Sequence, residues 1–477
     1  MQRTNLANSN FQYILILAGV LLGGAVGLFL GFNGVSKLVV VGLFGVAYVI
    51  LTIMRPWIAV AIFFALVPLE TLFVFQGSVT ATMTKMAGAY LVLLVLLTGS
   101  LKYIHDVFSS RKVLTMILFA AAAMISVMAS ENINFSMPFL LTLCLSIVLC
   151  FVLILLVRDQ RTLYMATWAL ILGGVFSIIS PIFFNLGSSG GYELTRYGGL
   201  WGDQNEFCAL LLAILPLAVL NIIISRGKFY KVLSIAISAI LAIGIVLTYS
   251  RGGFLALCVM IILGIFKVSS GKNRIKILAI TIPCMIIAFA LIFYFFSAEI
   301  IARMETLSVL SSQETVAKDE SLKFRYHFYF EIAPHIFSEH PIFGVGLRQI
   351  ILYNPFRYYA HNTYIEVLSG TGLVGFIPFM LILFFTWKEL RAVQKYRDSN
   401  GFFLRSYASA LEVGFLGYLF AGLFVSLDVN KMLWLLISIA AVIFNLYKIQ
   451  ARAEYDSPTG SANRGYDYKR SYIDLNR

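Results

Sequence analysis

Apolar runs long enough to cross a bilayer recur along nearly the whole chain. Windows of about 17–25 predominantly apolar residues mark about 14 candidate spans, centred near residues 22, 45, 66, 93, 120, 147, 174, 215, 239, 260, 285, 376, 415 and 439. The pattern predicts an all-α polytopic membrane protein, a bundle of about 12–14 transmembrane helices. Composition agrees, since 60% hydrophobic and 12% charged residues exclude a soluble globular domain.

Orientation follows from lysine and arginine placement. With a cytoplasmic N-terminus, 25 of the 36 basic residues fall on inner connections and 11 outside, which predicts both termini in the cytoplasm. The net charge of +13 is then mostly a topological signal with no call on nucleic acid. The first apolar segment lacks a small-residue cleavage site and reads as an uncleaved anchor. All five cysteines, Cys144, Cys150, Cys208, Cys258 and Cys284, fall in apolar segments, so neither disulfides nor a zinc site are expected.

Most connections are short, and two outer ones are not. A glycine-rich loop over 187–205 carries Arg196, and a long polar stretch runs from about 297 to 361. Loops of that length in a compact fold are usually functional. Within the second, Phe324, Phe328, Ile332 and Ile336 recur every four residues, which predicts an amphipathic helix that Pro334 should kink or end. Gly344-Val345-Gly346 reads as a turn. In the first span Gly19, Gly23, Gly27 and Gly31 are spaced for close helix packing. Three regions result: N-terminal helices over 1–186, a core over 187–447 with outer loops 187–205 and 297–361, and a cytoplasmic tail over 448–477.

Six of the 11 outer basic residues are arginines: Arg196, Arg251, Arg303, Arg325, Arg348 and Arg357. The guanidinium is a planar fork that holds phosphate oxygens in pairs. Arg251 is the sharpest case, because Tyr249-Ser250-Arg251-Gly252-Gly253 joins two apolar spans with almost no loop. Unpaired in hydrocarbon it would cost about 2.5 kcal/mol or more. It should therefore face an anionic partner, or one of the acids Glu70, Glu366 and Glu412 inside the bundle.

His361-Asn362 stands where the second polar stretch enters a span. Imidazole is the side chain best suited to moving a proton near neutral pH, and the Asn362 amide is placed to orient a neighbour. Gly370, Gly372 and Gly375 allow close packing beneath the pair. His327, His335 and His340 are spaced by 8 and 5 residues, which is no recognisable ligand pattern, and no outer Asp-x-Asp pair accompanies them. Metal-independent chemistry is expected, with no cofactor.

Several segments together resemble a known family: Arg196 followed by Gly-Gly and Asp203-Gln204-Asn205, the Tyr-Ser-Arg-Gly-Gly turn, Arg325 ahead of His340-Pro341-Ile342-Phe343-Gly344-Val345-Gly346, and His361-Asn362 followed by Gly370 and Gly372. Over roughly 190–390 they resemble the core of the O-antigen ligase and polymerase family, whose ligases usually have 12 spans. The resemblance implies a C-type, inverting membrane glycosyltransferase that takes a glycan from an undecaprenyl-diphosphate carrier on the outer face of a bacterial plasma membrane, without metal or nucleotide sugar. It implies His361 as the base for the acceptor hydroxyl and Arg251 and Arg325 as holders of the leaving diphosphate, with Arg196 and Asn205 shaping the pocket and Asn362 beside them. A polymerase, joining carrier-linked units, is slightly favoured over a ligase that moves the polymer to a lipid core or protein. A flippase for the same lipid-linked sugar would need repeat-related halves and midplane charges, and neither is evident in the sequence.

Overall fold

The computed structural model describes residues 48–73, 82–108, 110–184, 197–201, 203–225, 227–268, 325–354, 359–395 and 402–455. The expected spans near 22 and 285, the Gly19 to Gly31 run, Arg196, Arg303, Phe324, Arg357 and the chain beyond 455 lie outside them. The described residues form helices α1 (Pro56–Leu66), α2 (Met83–Leu97), α3 (Arg111–Met128), α4 (Ile133–Leu156), α5 (Gln160–Phe184), α6 (Gln204–Ile224), α7 (Lys228–Leu247), α8 (Arg251–Val268), α9 (Ala333–Glu339), α10 (Thr363–Gln394), α11 (Phe402–Ala421) and α12 (Lys431–Tyr455). Among them 7 helices, α3 to α7, α10 and α12, are long and apolar enough to cross a membrane, or up to 9 if two bent pairs count as spans. The protein is an all-α polytopic membrane protein.

One bend has a clear covalent origin. Tyr48–Met54 turns through 120° into α1 at Arg55-Pro56, where Arg55 is non-helical (φ −140°, ψ 79°). Proline disfavours the helical region for the residue before it and starts a helix well, having no N–H to satisfy.

The helices run up and down, packing α10 on α3, α1 on α5, α6 against both α7 and α11, and α12 on α4. Helix α12 is the central one: 89% of its span is buried, against 33% for the peripheral α7. In lipid, such packing is driven by close fit and internal polar contacts more than by solvent exclusion. The α1–α5 contact shows the fit, since a Cβ on Gly173 would lie 2.5 Å from the Ala65 carbonyl oxygen.

Polar side chains gather at the two ends. At one end Asp106 meets Arg158 at 2.8 Å and Arg452 at 3.8 Å, Lys112 meets Glu389 at 2.5 Å, and Lys267 and Gln394 converge on Glu412. At the other end lie the N-termini of α6, α8, α10 and α12, where Lys431 pairs with Glu70 and donates to Thr84 Oγ1 at 2.6 Å.

The segment 325–354 covers this second end. Phe328, Ile332 and Ile336 are buried as one stripe with Val345, Ile350 and Ala360, as the four-residue recurrence predicts. The stripe is not one regular helix, however. Phe328–Ile332 forms a π turn, and Pro334 opens α9 near its N-terminus instead of ending the helix. A π turn widens the coil by one residue and recurs at functional sites.

Candidate functional site

Helix α10 does not run unbroken. Gly372 has φ 60° and ψ −166°, and a Cβ there would lie 2.2 Å from the Ile342 carbonyl oxygen. The turns after His340 occupy the gap: Val345 N donates to Ser369 O at 3.0 Å, Gly346 N to Gly370 O at 2.9 Å, and Leu373 N to Pro341 O at 3.0 Å. Gly344-Val345-Gly346 is therefore more than a turn, because it repairs backbone hydrogen bonds that the break releases. The glycines fit this purpose, as Gly344 has φ 67° and would press a Cβ to 2.5 Å from Ser369 O.

Beyond that stretch, Gln349 fixes the next residues. Its side-chain nitrogen, with two hydrogens to give, lies within hydrogen-bond reach of Ser130 Oγ at 2.8 Å, Asn132 O at 2.6 Å and Ser136 Oγ at 2.9 Å, while Ser136 Oγ donates to Leu347 O at 2.8 Å. Pinned on both sides, Arg348 holds a left-handed backbone (φ 61°), which costs a non-glycine residue roughly 1–2 kcal/mol. Its guanidinium is buried, forms an ion pair with Asp428 Oδ1 at 2.9 Å and donates to Ser426 O at 3.3 Å, beneath the Tyr359 ring at 4.9 Å. Burial would weaken the charge, but Asp428, Glu366, Glu206 and Tyr359 surround it and keep it positive.

His361 lies just ahead of α10, also left-handed (φ 48°). Strain of that kind persists only where the surroundings over-determine it, and here they do. Tyr329 Oη donates to His361 O at 3.3 Å. Asn362 caps α10, its Oδ1 accepting from Tyr364 N at 3.0 Å and Ile365 N at 3.1 Å, and its Nδ2 donates to Leu423 O at 3.2 Å. Thr363 N donates to Gly422 O at 2.7 Å and Thr363 Oγ1 to Val425 O at 2.8 Å. The amide expected to orient a neighbour is occupied in fixing the backbone beside His361.

Burial lowers the His361 imidazole below its ordinary range, Arg325 lowers it further and Arg348 adds to this, while Asp203 opposes them. A histidine so placed is neutral near pH 7 and ready to accept a proton. Asp203 also caps α6, its Oδ1 accepting from Asn205 N at 2.8 Å and Glu206 N at 2.9 Å. Asn205 in turn accepts from Ser250 Oγ at 2.8 Å, next to Arg251 at the start of α8. The glycines after Arg251 let α8 begin there, since a Cβ on Gly252 would lie 2.6 Å from Phe424 and one on Gly253 2.1 Å from Cys208 Sγ.

Of the residues singled out from the sequence, Asn205, Arg251, Arg325, His361 and Asn362 thus stand at one end of the bundle. The three acids weighed as internal partners of Arg251 are engaged elsewhere: Glu70 by Lys431, Glu412 by Lys267 and Trp387, and Glu366 by Ala360 and Ser426. His327 pairs with Glu331 at 2.5 Å and His335 with Glu339 at 3.6 Å, and no cluster of three or more metal-ligating side chains occurs among the described residues. Sequence reasoning missed the participation of Asp203 and the buried Arg348 network, although Arg348 stood among the outer arginines and Asp203 beside Asn205. Compared with known families, residues 235–380 match the model described as O-antigen ligase. That stretch takes in Arg251, Arg325, Arg348, His361 and Asn362 and leaves out Asn205. No curated protein matches the chain.

Proposed function

We propose that this member of the O-antigen ligase and polymerase family transfers glycan from an undecaprenyl-diphosphate carrier to an acceptor hydroxyl at the outer face of a bacterial plasma membrane. The carrying observation is the placement of His361 beside Arg325 and Arg348, with Asp203 opposing them. The imidazole takes the proton from the acceptor hydroxyl, whose oxygen forms a bond to the anomeric carbon. The bond from that carbon to the carrier diphosphate breaks, and the electron pair leaves with the diphosphate. Arg251 and Arg325 stabilise that charge, and Asn205, tied to Ser250, fixes the approach of Arg251. Arg196, outside the described residues, is given a part in donor binding on the family resemblance alone. Asn362 acts through the backbone it caps.

Attack from the face opposite the diphosphate inverts the anomeric centre, and no step in this scheme requires a metal or nucleotide sugar. The long outer segment favours a second carrier-linked glycan as acceptor, the polymerase reaction. Transfer to a lipid core or protein uses the same chemistry and differs only in the acceptor. The deciding experiment uses purified wild-type and His361→Ala protein with carrier-linked glycan in chelator. Wild-type should form a ladder of lengthened products and His361→Ala should lose about 100- to 10,000-fold in turnover while still binding donor. Full turnover by His361→Ala removes the base, turnover that needs a divalent ion replaces the metal-free scheme, and product only on a lipid-core acceptor makes the enzyme a ligase.

A further inference from the structure

Ala360, immediately before His361, is fully buried, so its backbone N–H needs an acceptor within the protein. That acceptor is Glu366 Oε2 at 3.0 Å, from the first turn of α10. The same oxygen accepts from Ser426 Oγ at 3.0 Å, and the Glu366 backbone N–H donates to Asn362 O at 2.9 Å. Glu366 therefore grips the chain on both sides of His361, by its side chain before it and by its backbone after it. Behind the carboxylate stands Arg348, which holds Ser426 O at 3.3 Å and Asp428 at 2.9 Å. Ser426 is thus shared, its hydroxyl given to Glu366 and its carbonyl to Arg348. The groups that face His361 are Arg325, Arg348 and Asp203. Those that face Glu366 include Arg348, Asp428 and Tyr359, and Glu206 interacts with Asp203, Arg348, Asp428 and Glu70 in turn.

We infer that Glu366 is a positioning residue for His361, holding the left-handed backbone that aims the imidazole at the acceptor hydroxyl, with Arg348 and Asp428 as the buried buttress of that hold. The catalytic part rests on the transfer reading above; the mechanical part does not. Glu366→Gln keeps the size of the side chain, and its oxygen can still accept from both the Ala360 N–H and the Ser426 hydroxyl, but without the carboxylate charge both bonds weaken and the attraction to Arg348 is lost. The loop before α10 then relaxes, and His361 moves away from its buried, cationic surroundings.

The test reads the imidazole directly. The full-length protein in detergent is treated with diethyl pyrocarbonate across a pH series and labelling of His361 is followed by peptide mass spectrometry. Glu366→Gln should raise the pH midpoint of His361 labelling towards the ordinary value of about 6.5. Turnover should fall by about 100-fold, the scale expected for a reacting group displaced by an ångström, with donor binding little changed. A purely structural role would lower the yield of folded protein and leave the midpoint where it is. An unmoved midpoint overturns the inference. Ser426→Ala, which removes one donor to the carboxylate without changing any charge, should raise the midpoint by a smaller amount and decides the matter by the same criterion if Glu366→Gln does not accumulate. Full turnover by His361→Ala would sink the transfer reading, whereas the labelling midpoints would still report whether Glu366 holds His361.

Discussion

The Ser250 hydroxyl donates to the side-chain oxygen of Asn205 at 2.8 Å and accepts from the Gly253 amide at 3.2 Å. One oxygen thereby ties the start of α8, where Arg251 stands, to the start of α6. Arg251→Lys should insert and accumulate normally yet lose most of the glycan product, because lysine keeps the charge and gives up the paired donors. Ser250→Ala should cost less, about fivefold in turnover, as expected for one hydrogen bond of about 1 kcal/mol. Product yield per inserted protein measures both, and near-normal product from Arg251→Lys would take Arg251 out of diphosphate binding.

The acid side of the activity profile carries a second prediction. A base must be neutral to act, and burial followed by the Arg325 charge places His361 below the ordinary histidine range, with Asp203 opposing and Arg348 reinforcing. Its neutral form therefore persists to lower pH, and turnover should fall only below about pH 6.5. Arg325→Gln removes a positive neighbour, so the acid limb should move to higher pH while donor affinity weakens. Turnover against pH at saturating and limiting donor separates the two effects, and a limb indifferent to Arg325→Gln would contradict the arrangement.

How much of this was legible beforehand depended on the range of the interactions. The spans follow from local hydropathy, and the His361-Asn362 boundary follows from the meeting of polar and apolar stretches. The break at Gly372 was not legible, because a glycine in an apolar run reads equally as close packing, and only Ile342 pressed against it distinguishes the two. Likewise the Arg348–Asp428 pair joins residues 80 positions apart, and no local pattern signals that an outer arginine is buried. The π turn at Phe328–Ile332 kept the four-residue stripe readable while changing the helix that carries it. Pro334, expected to kink or end the helix, does not end it: the irregularity falls just before it, in the π turn, and the regular helix resumes with Pro334 in its first turn.

Topology gives a third prediction. The split of basic residues predicts that the His361 end lies outside and the Glu412 end inside. A cysteine at His335, whose side chain is 70% exposed, should react with a membrane-impermeant maleimide added to intact cells. One at the exposed Lys395 should react only after permeabilisation. The reverse pattern would put the site on the wrong side for an outer-face donor.

The opposite end of the bundle carries the last prediction. Lys112 and Glu389 are buried 2.5 Å apart, at 1% and 9% exposure, with Ser110 Oγ donating to the second Glu389 oxygen at 2.9 Å. Removing one partner of a buried pair leaves an uncompensated charge, so Lys112→Met should destabilise the protein by about 3–5 kcal/mol. Replacing both residues by apolar ones of similar volume removes the stranded charge. The double variant Lys112→Met with Glu389→Leu should therefore recover much of the loss in thermal-unfolding measurements in detergent. Donor binding, proposed at the other end of α10, should follow the folded fraction alone in both variants. If the double variant is no more stable than the single one, the pair serves shape and packing at this end, and the loss in Lys112→Met is not one of charge.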